Sequence, residues 1–309
     1  MDHPNVISWD AVRADDVDRG PFRHRRRRLA PAAGALRAGL SLWELAPGGR
    51  STPPHVHSDE EELFHVLDGS GLSWQDGRTF AVGPGDVLLH RCGEAAHTLI
   101  AGEAGLSVLA FAEGSRTHLT HMPRTGMMWA ASHWLPADAP HPYGADAELP
   151  DLEVPEPEAE RPPTIVALEG VPASETDRGP TRLKTRDAGR ALGSVSTGVR
   201  HLRIAPGARA APHHCHGAEE ELFVVLGGEG EVRLGDERFP VARGTVVARP
   251  PGTGVAHSFW AGERGLELLA WGTREPNDVV FYPDSQKVYL CGVGVIGRLT
   301  PAGYWDGEE

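Results

Sequence analysis

A chain of 309 residues with 38 glycines and 26 prolines is long enough for two medium domains, yet is punctuated too often for long helices. Its formal charge of −13 excludes the broad basic face that a nucleic-acid partner requires. Three scattered cysteines exclude a disulfide framework, no run of ~18 apolar residues offers a membrane span, and the first ten residues lack a secretory pattern, so a cytoplasmic protein is expected.

The first feature along the chain is "RHRRRR" at 23–28, read as a solvated edge paired with acids rather than an arm for nucleic acid or lipid. Short strand-like runs follow: "GLSLWELAPG", "EELFHVLDGSG", "GLSWQDGRTFAV", "GDVLLH" and "HTLIAG". Asp-Gly in "QDGR" (75–78) predicts a hairpin, and the regular spacing of short strands predicts an all-β antiparallel sandwich or barrel. Residues 136–163, rich in proline and acids, read as a semi-extended connector. Beyond it the same elements return as "HLRIAPG", "ELFVVLGGEGEVRLGDERFPV", "GTVVARPPG" and "HSFWAG".

The recurrence has a fixed offset. "DRGP" at 18 returns at 177, a shift of 159, which becomes 160 after one inserted residue ahead of His257. A period of this length far exceeds the roughly 20–50 residues of a solenoid unit, so it marks a duplicated domain. The expected organisation is one domain over 1–135 and a second over 164–309, each with its own core.

Strand alternation turns His55 and His57 to one side, and likewise His214 and His216. Glu62 and Glu221 open the next strand, and His97 and His257 head a later one. Two adjacent strands and one from an opposing sheet can deliver three nitrogens and one carboxylate to a single point. Alternation turns Cys215 to the opposite face, as a packing thiol, and His65 outward. His90 and His213 read as surface histidines or as donors behind a ligand. Trp43, Phe64, Leu99 and Phe259 are expected as apolar pocket walls, and no residue stands out as a proton carrier.

These spacings resemble the two motifs of the cupin superfamily. The first is met by Gly49, His55, His57, Glu62 and Gly69, and again by His214, His216, Glu221 and Gly228, with Gly207 one residue early. Its spacing to Gly69 selects Glu62 over Glu60 and Glu61, and in the second half Glu221 over Glu219 and Glu220. The second motif is met by Gly244, "PPGTGVAH" and His257; half one keeps Gly85, Gly93 and His97 without the proline. The closing "YPDSQKV" and "YWDGEE" resemble tails of bacterial cupins.

The resemblance implies a bicupin: two tandem cupin-type double-stranded β-helix (jelly-roll) barrels, each holding a divalent metal through His55, His57, Glu62 and His97 or through His214, His216, Glu221 and His257. Mixed nitrogen and oxygen ligation suits Fe, Mn or Ni, with Zn possible, and leaves about two open positions on an octahedral ion. The activity expected first is an oxidoreductase of the dioxygenase type on a small oxygen-rich or carboxylate-bearing substrate. The alternatives are a non-redox metal-dependent isomerase or decarboxylase, or a non-enzymatic small-molecule or metal-binding cupin. No lid signature of the oxalate decarboxylase kind is visible, so that activity receives little weight. Pairing through sheet edges would give a homodimer.

Overall fold

Short alternating runs close each half into an eight-stranded sheet rolled over a four-stranded one. The computed structural model describes residues 3–113, 118–130, 133–136 and 141–308. In the first barrel the large sheet runs Ile165–Ala167, Asp86–His90, Glu62–Gln75, His97–Glu113, Ala38–Leu45, Phe22–Arg28 and Ala14–Arg19. Arg78–Val82 pairs back onto Glu62–Gln75 through the expected hairpin, with Asp76 and Gly77 at φ 45° and 82° as a primed turn requires. The small sheet joins His133–Leu135, Met127–Ala130, Thr120–Met122 and Val56–His57. The second barrel repeats this plan, its small sheet running Cys215–His216, Val279–Tyr282, Lys287–Leu290 and Val295–Arg298. The fold is the expected all-β pair of jelly-roll barrels, and among the described residues no helix is long and apolar enough to cross a membrane.

Each barrel turns on one long ribbon. Glu62–Gln75 pairs with His97–Glu113 along its whole length, with register shifts between Val66 and Asp68 and between Gly69 and Gly71. At this bulge the ribbon bends and changes its outer neighbour, pairing with Asp86–His90 before it and with Arg78–Val82 beyond it. A Cβ on Gly69 would stand 2.2 Å from Gly105 O, and at the equivalent Gly228 2.1 Å from Gly265 O, so only glycine lets the backbones approach there.

Hydrogen bonding crosses between the halves in both directions. Ile165–Ala167, which opens the second half, pairs with Asp86–His90 of the first barrel, while Val6–Ser8 pairs with Thr245–Arg249 of the second. Each barrel thus has one edge covered by a strand from the other half. Besides a core inside each barrel there is a third, shared one, in which Leu63, Leu109 and Phe111 meet their counterparts Leu222, Leu269 and Trp271. Phe111 and Trp271 stack at 6.1 Å. At roughly 1.5–3 kcal/mol for each large apolar side chain buried, this cluster is enough to make one body of the barrels.

Two buried glutamates lock that contact. Glu61 accepts from the backbone N–H groups of Val195, Ser196 and Thr197 and from Ser194 Oγ at 2.6 Å. Glu220 does the same for Leu36, Arg37 and Ala38 at 2.6, 2.7 and 2.8 Å. Burial alone would push the Glu61 carboxyl up, but these donors hold it below its ordinary value.

The connector is more firmly placed than its composition suggests. It contains a helix, Pro142–Ala147, whose buried Asp146 meets Arg50 at 3.4 Å and Arg124 at 3.2 Å. Beyond it the chain is pinned along the first barrel by Trp74 Nε1 to Glu153 O (2.8 Å), Thr79 Oγ1 to Pro155 O (2.7 Å) and Arg161 to Asp86 (2.7 Å). In the arginine run, Arg25, Arg27 and Arg28 pair with Asp16, Glu44 and Asp15, as a solvated edge should. Alternation turns His24 and Arg26 into the barrel instead, where Arg26 lies 4.6 Å above the Trp43 ring.

His65 does leave the barrel interior, but the second barrel covers it, so the expected outward side chain is only 4% exposed. Burial first, and then the charge of His201, push its pKa down to about 4. Protonation therefore favours the unfolded chain. This contribution is complete above the ordinary histidine value of 6.5 and is lost as pH falls towards 4. Urea midpoints measured from pH 7 to 4 should fall less steeply in His65→Leu than in the parent; equal slopes would show that His65 is not the titrating group. Glu220→Ala should lower unfolding free energy by about 3 kcal/mol, measured by urea titration, since three backbone donors lose a charged acceptor.

Candidate metal centre

In the first barrel the folded ribbon brings its two ends together. His97 Nε2 lies 2.8 Å from Glu62 Oε2, His57 Nε2 lies 3.1 Å from the same oxygen and His55 Nε2 3.5 Å. One donor atom from each of these four residues falls within 4.8 Å of all the others. In the second barrel His214, Glu221 and His257 meet the same test. His257 and His216 approach Glu221 Oε2 at 3.2 and 3.3 Å, but His216 groups with Glu219 and Asp278 through its other nitrogen. The ligands expected from the sequence are thus brought together fully in barrel one and with this one difference in barrel two.

The donor atoms crowd one point, where His97 Nε2 and Glu62 Oε2 are in hydrogen-bonding contact. His57 Nε2, His216 Nε2 and Glu221 Oε2 are buried without a hydrogen-bond partner, despite their short separations. Nδ1 of His55 lies 3.0 Å from Pro53 O, and Nδ1 of His214 lies 2.7 Å from Pro212 O. A carbonyl only accepts, so Nδ1 carries the proton and Nε2 turns its lone pair to the site. Burial opposes ionisation of Glu62, yet the charge of His57 and the imidazoles of His55 and His97 crowded around it hold its carboxyl well below the usual range. Burial and His55 push His97 down to about 4. Against the effect of burial, Glu62 raises the pKa of His57 and Asp278 takes that of His216 up to about 9, so a divalent cation would bind in exchange for those protons, and with that exchange the residues fit one.

Several further histidines surround these sets. His90, read as a surface histidine or a donor behind a ligand, is buried and stacks on His97 at 3.9 Å with parallel rings, which rules out the surface position. Burial and the neighbouring His97 keep it uncharged, which suits a ring laid against a ligand. His213 is buried too, at 3% exposure. Cys215 is buried and belongs to neither group of converging donors, consistent with a packing thiol. Behind His57, His118 Nε2 lies 3.1 Å from Nδ1, and Glu60 Oε2 lies 3.0 Å from His118 Nδ1. Burial and the charge of Glu62 push the Glu60 carboxyl up to about 8.

A cavity of ≈ 890 Å³ opens over the first set, walled by Trp43, Phe64 and Leu99 as expected and also by Arg26, Trp129, Trp134 and Tyr143. Phe259, the remaining expected wall, packs in the core of the second barrel, 4.7 Å from Phe223.

The model of the cupin domain matches twice, over residues 41–110 and 200–272, and each match spans a histidine pair, its glutamate and the third histidine. The chain is a two-domain cupin. Solved structures agree on the fold. Oxalate decarboxylase from Bacillus subtilis at pH 4.6 superposes with a TM-score of 0.58 at 17% identity, covering 88% of this chain and 76% of that one. A formate complex of the Lactobacillus farciminis oxalate decarboxylase gives 0.61 at 16%, covering 89% and 87%. No curated protein sequence matches this cupin.

His57→Ala and His216→Ala should each cost the bicupin about one metal ion per chain by elemental analysis of protein purified without chelators. Retention of the full metal content by both variants would mean that the ions sit elsewhere.

Proposed function

We propose that this bicupin is a metal-dependent enzyme whose reaction takes place in the first barrel. It acts there on a carboxylate-bearing substrate by non-redox chemistry of the decarboxylase or isomerase class. The observation that carries this reading is the position of Arg26. Its guanidinium lines the same cavity as His55, His57, Glu62 and His97, donates to Ser41 Oγ at 3.1 Å and rests on Trp43. Among the described residues no carboxylate pairs with it, and burial lowers its pKa. A fixed cation without an internal partner, in a partly apolar cavity, favours a carboxylate ligand. The likeness to oxalate decarboxylases supports the same class of chemistry.

The cavity volume of ≈ 890 Å³ lies in the range of roughly 300–1,000 Å³ that suits drug-sized ligands, so a substrate larger than a two-carbon diacid is favoured. Its apolar part would rest between Trp129, Trp134 and Phe64, with the carboxylate towards Arg26. A divalent ion held by the four ligands would act as a Lewis acid on a carboxylate or carbonyl oxygen. Glu60 faces the cavity beside the ligand set and is placed to give or accept a proton. Tyr143, with burial raising its pKa to about 12, stays a neutral hydroxyl in the cavity wall.

The dioxygenase reading is separated by its stoichiometry. With metal-loaded protein and a panel of aromatic and aliphatic carboxylates, product should form without net oxygen uptake. One oxygen consumed per product would restore the oxidative alternative. Arg26→Gln should lower kcat/KM by about 100-fold while leaving metal content unchanged, the cost of losing a charged hydrogen bond to substrate.

A further inference from the structure

The two centres differ in what holds one histidine of each from behind. In the strand register His57 stands opposite Thr120 and His216 opposite Val280, so the two positions are equivalent. Two residues before these partners, the chain places a side chain against Nδ1 of the ligand. In the first barrel it is His118 and in the second Asp278, and their numbers differ by the offset of the repeat.

Asp278 is 1% exposed and held on both oxygens. Oδ1 accepts from the backbone N–H groups of Ala218 and Glu219 at 2.7 and 3.2 Å, and Oδ2 lies 2.7 Å from His216 Nδ1. Such an anion fixes the ring plane and the Nδ1 proton and makes Nε2 a stronger donor to a cation. His118 supplies no such charge. Its Nε2 is shared between His57 Nδ1 at 3.1 Å and Thr120 Oγ1 at 2.6 Å, and the nearest carboxylate oxygen to His57 Nδ1, that of Glu60, is 3.9 Å away.

We infer that Asp278 is a positioning residue that makes the second barrel the tighter site for a divalent cation, and that His118 at the equivalent place leaves the first barrel a weaker, exchangeable one. The inference rests on the reading of the four ligands in each barrel. Its consequence is ordered filling: scarce metal occupies the second barrel first, and the centre beneath the cavity is loaded only when metal is plentiful.

The test uses Mn(II) on the full chain after removal of bound metal, with free ion read by electron paramagnetic resonance. His57→Ala isolates the second barrel and His216→Ala the first. The second barrel should bind Mn(II) about 10–100-fold more tightly. On the His57→Ala background, Asp278→Asn should remove most of that advantage and Asp278→Glu should restore part of it. On the His216→Ala background, His118→Asp should tighten the first barrel, a gain that a merely structural role for this position would not produce. Equal affinities in the two barrels overturn the inference while leaving the ligands standing, and so does an unchanged first-barrel affinity in His118→Asp. Absence of Mn(II) binding in the parent chain overturns both the inference and the ligand reading.

Discussion

Everything in each barrel depends on one bent ribbon. Glu62 and Gln75 lie at opposite ends of a strand that pairs with His97–Glu113, so Glu62 faces Ala112 and Gln75 faces His97. In a straight antiparallel pair, thirteen residues of strand would hold Glu62 and His97 roughly 40 Å apart. They are 2.8 Å apart because the ribbon folds over at the bulge around Gly69, where no side chain can be accommodated. The second barrel repeats the construction, with Glu221 and His257 at 3.2 Å across a fold at Gly228. The glycine that ends the first motif is therefore the bend that brings these side chains together, far from them along the strand.

The acidic triplet that opens this ribbon shows how local alternation distributes three like charges. Glu62 turns into the barrel and meets the imidazoles, Glu61 turns out and caps the backbone of the other half, and Glu60 faces the cavity beside His118. In the second half Glu221 and Glu220 divide the same roles. Candidate ligand and clamp are adjacent residues, so docking of the two barrels and the position of the carboxylate among the imidazoles are mechanically linked. Exchange of Val6–Ser8 and Ile165–Ala167 between the halves adds to that linkage.

Fold class, duplication, hairpin and the convergence of the candidate ligands were legible because each is written in short-range spacing: alternation places His55 with His57, and the 159-residue offset repeats the set. Burial between the barrels was not. His65 obeys alternation and still lies buried, since nothing local tells an outer face from one covered by a second domain. His24 and Arg26 were hidden inside a charge run whose composition masked its alternation. His118 and Asp278 lie about sixty residues from the histidines they touch and carry no motif; the one signal was that the same offset maps an imidazole onto a carboxylate.

That substitution belongs to a wider divergence of the two copies. Arg26 faces Trp43 across the strand pair in the first barrel, and the same register in the second pairs Thr185 with Leu202. Leu99, which lines the first cavity, has Phe259 as its counterpart, and Phe259 packs against Phe223 in the second core. The first copy thus keeps a cation, an aromatic shelf and room beside its ligands. The second has a hydroxyl in place of the cation, an aliphatic side chain in place of the shelf, and the larger ring of Phe259 in place of Leu99. Strand exchange and the paired glutamate clamps hold these two diverged copies in one body.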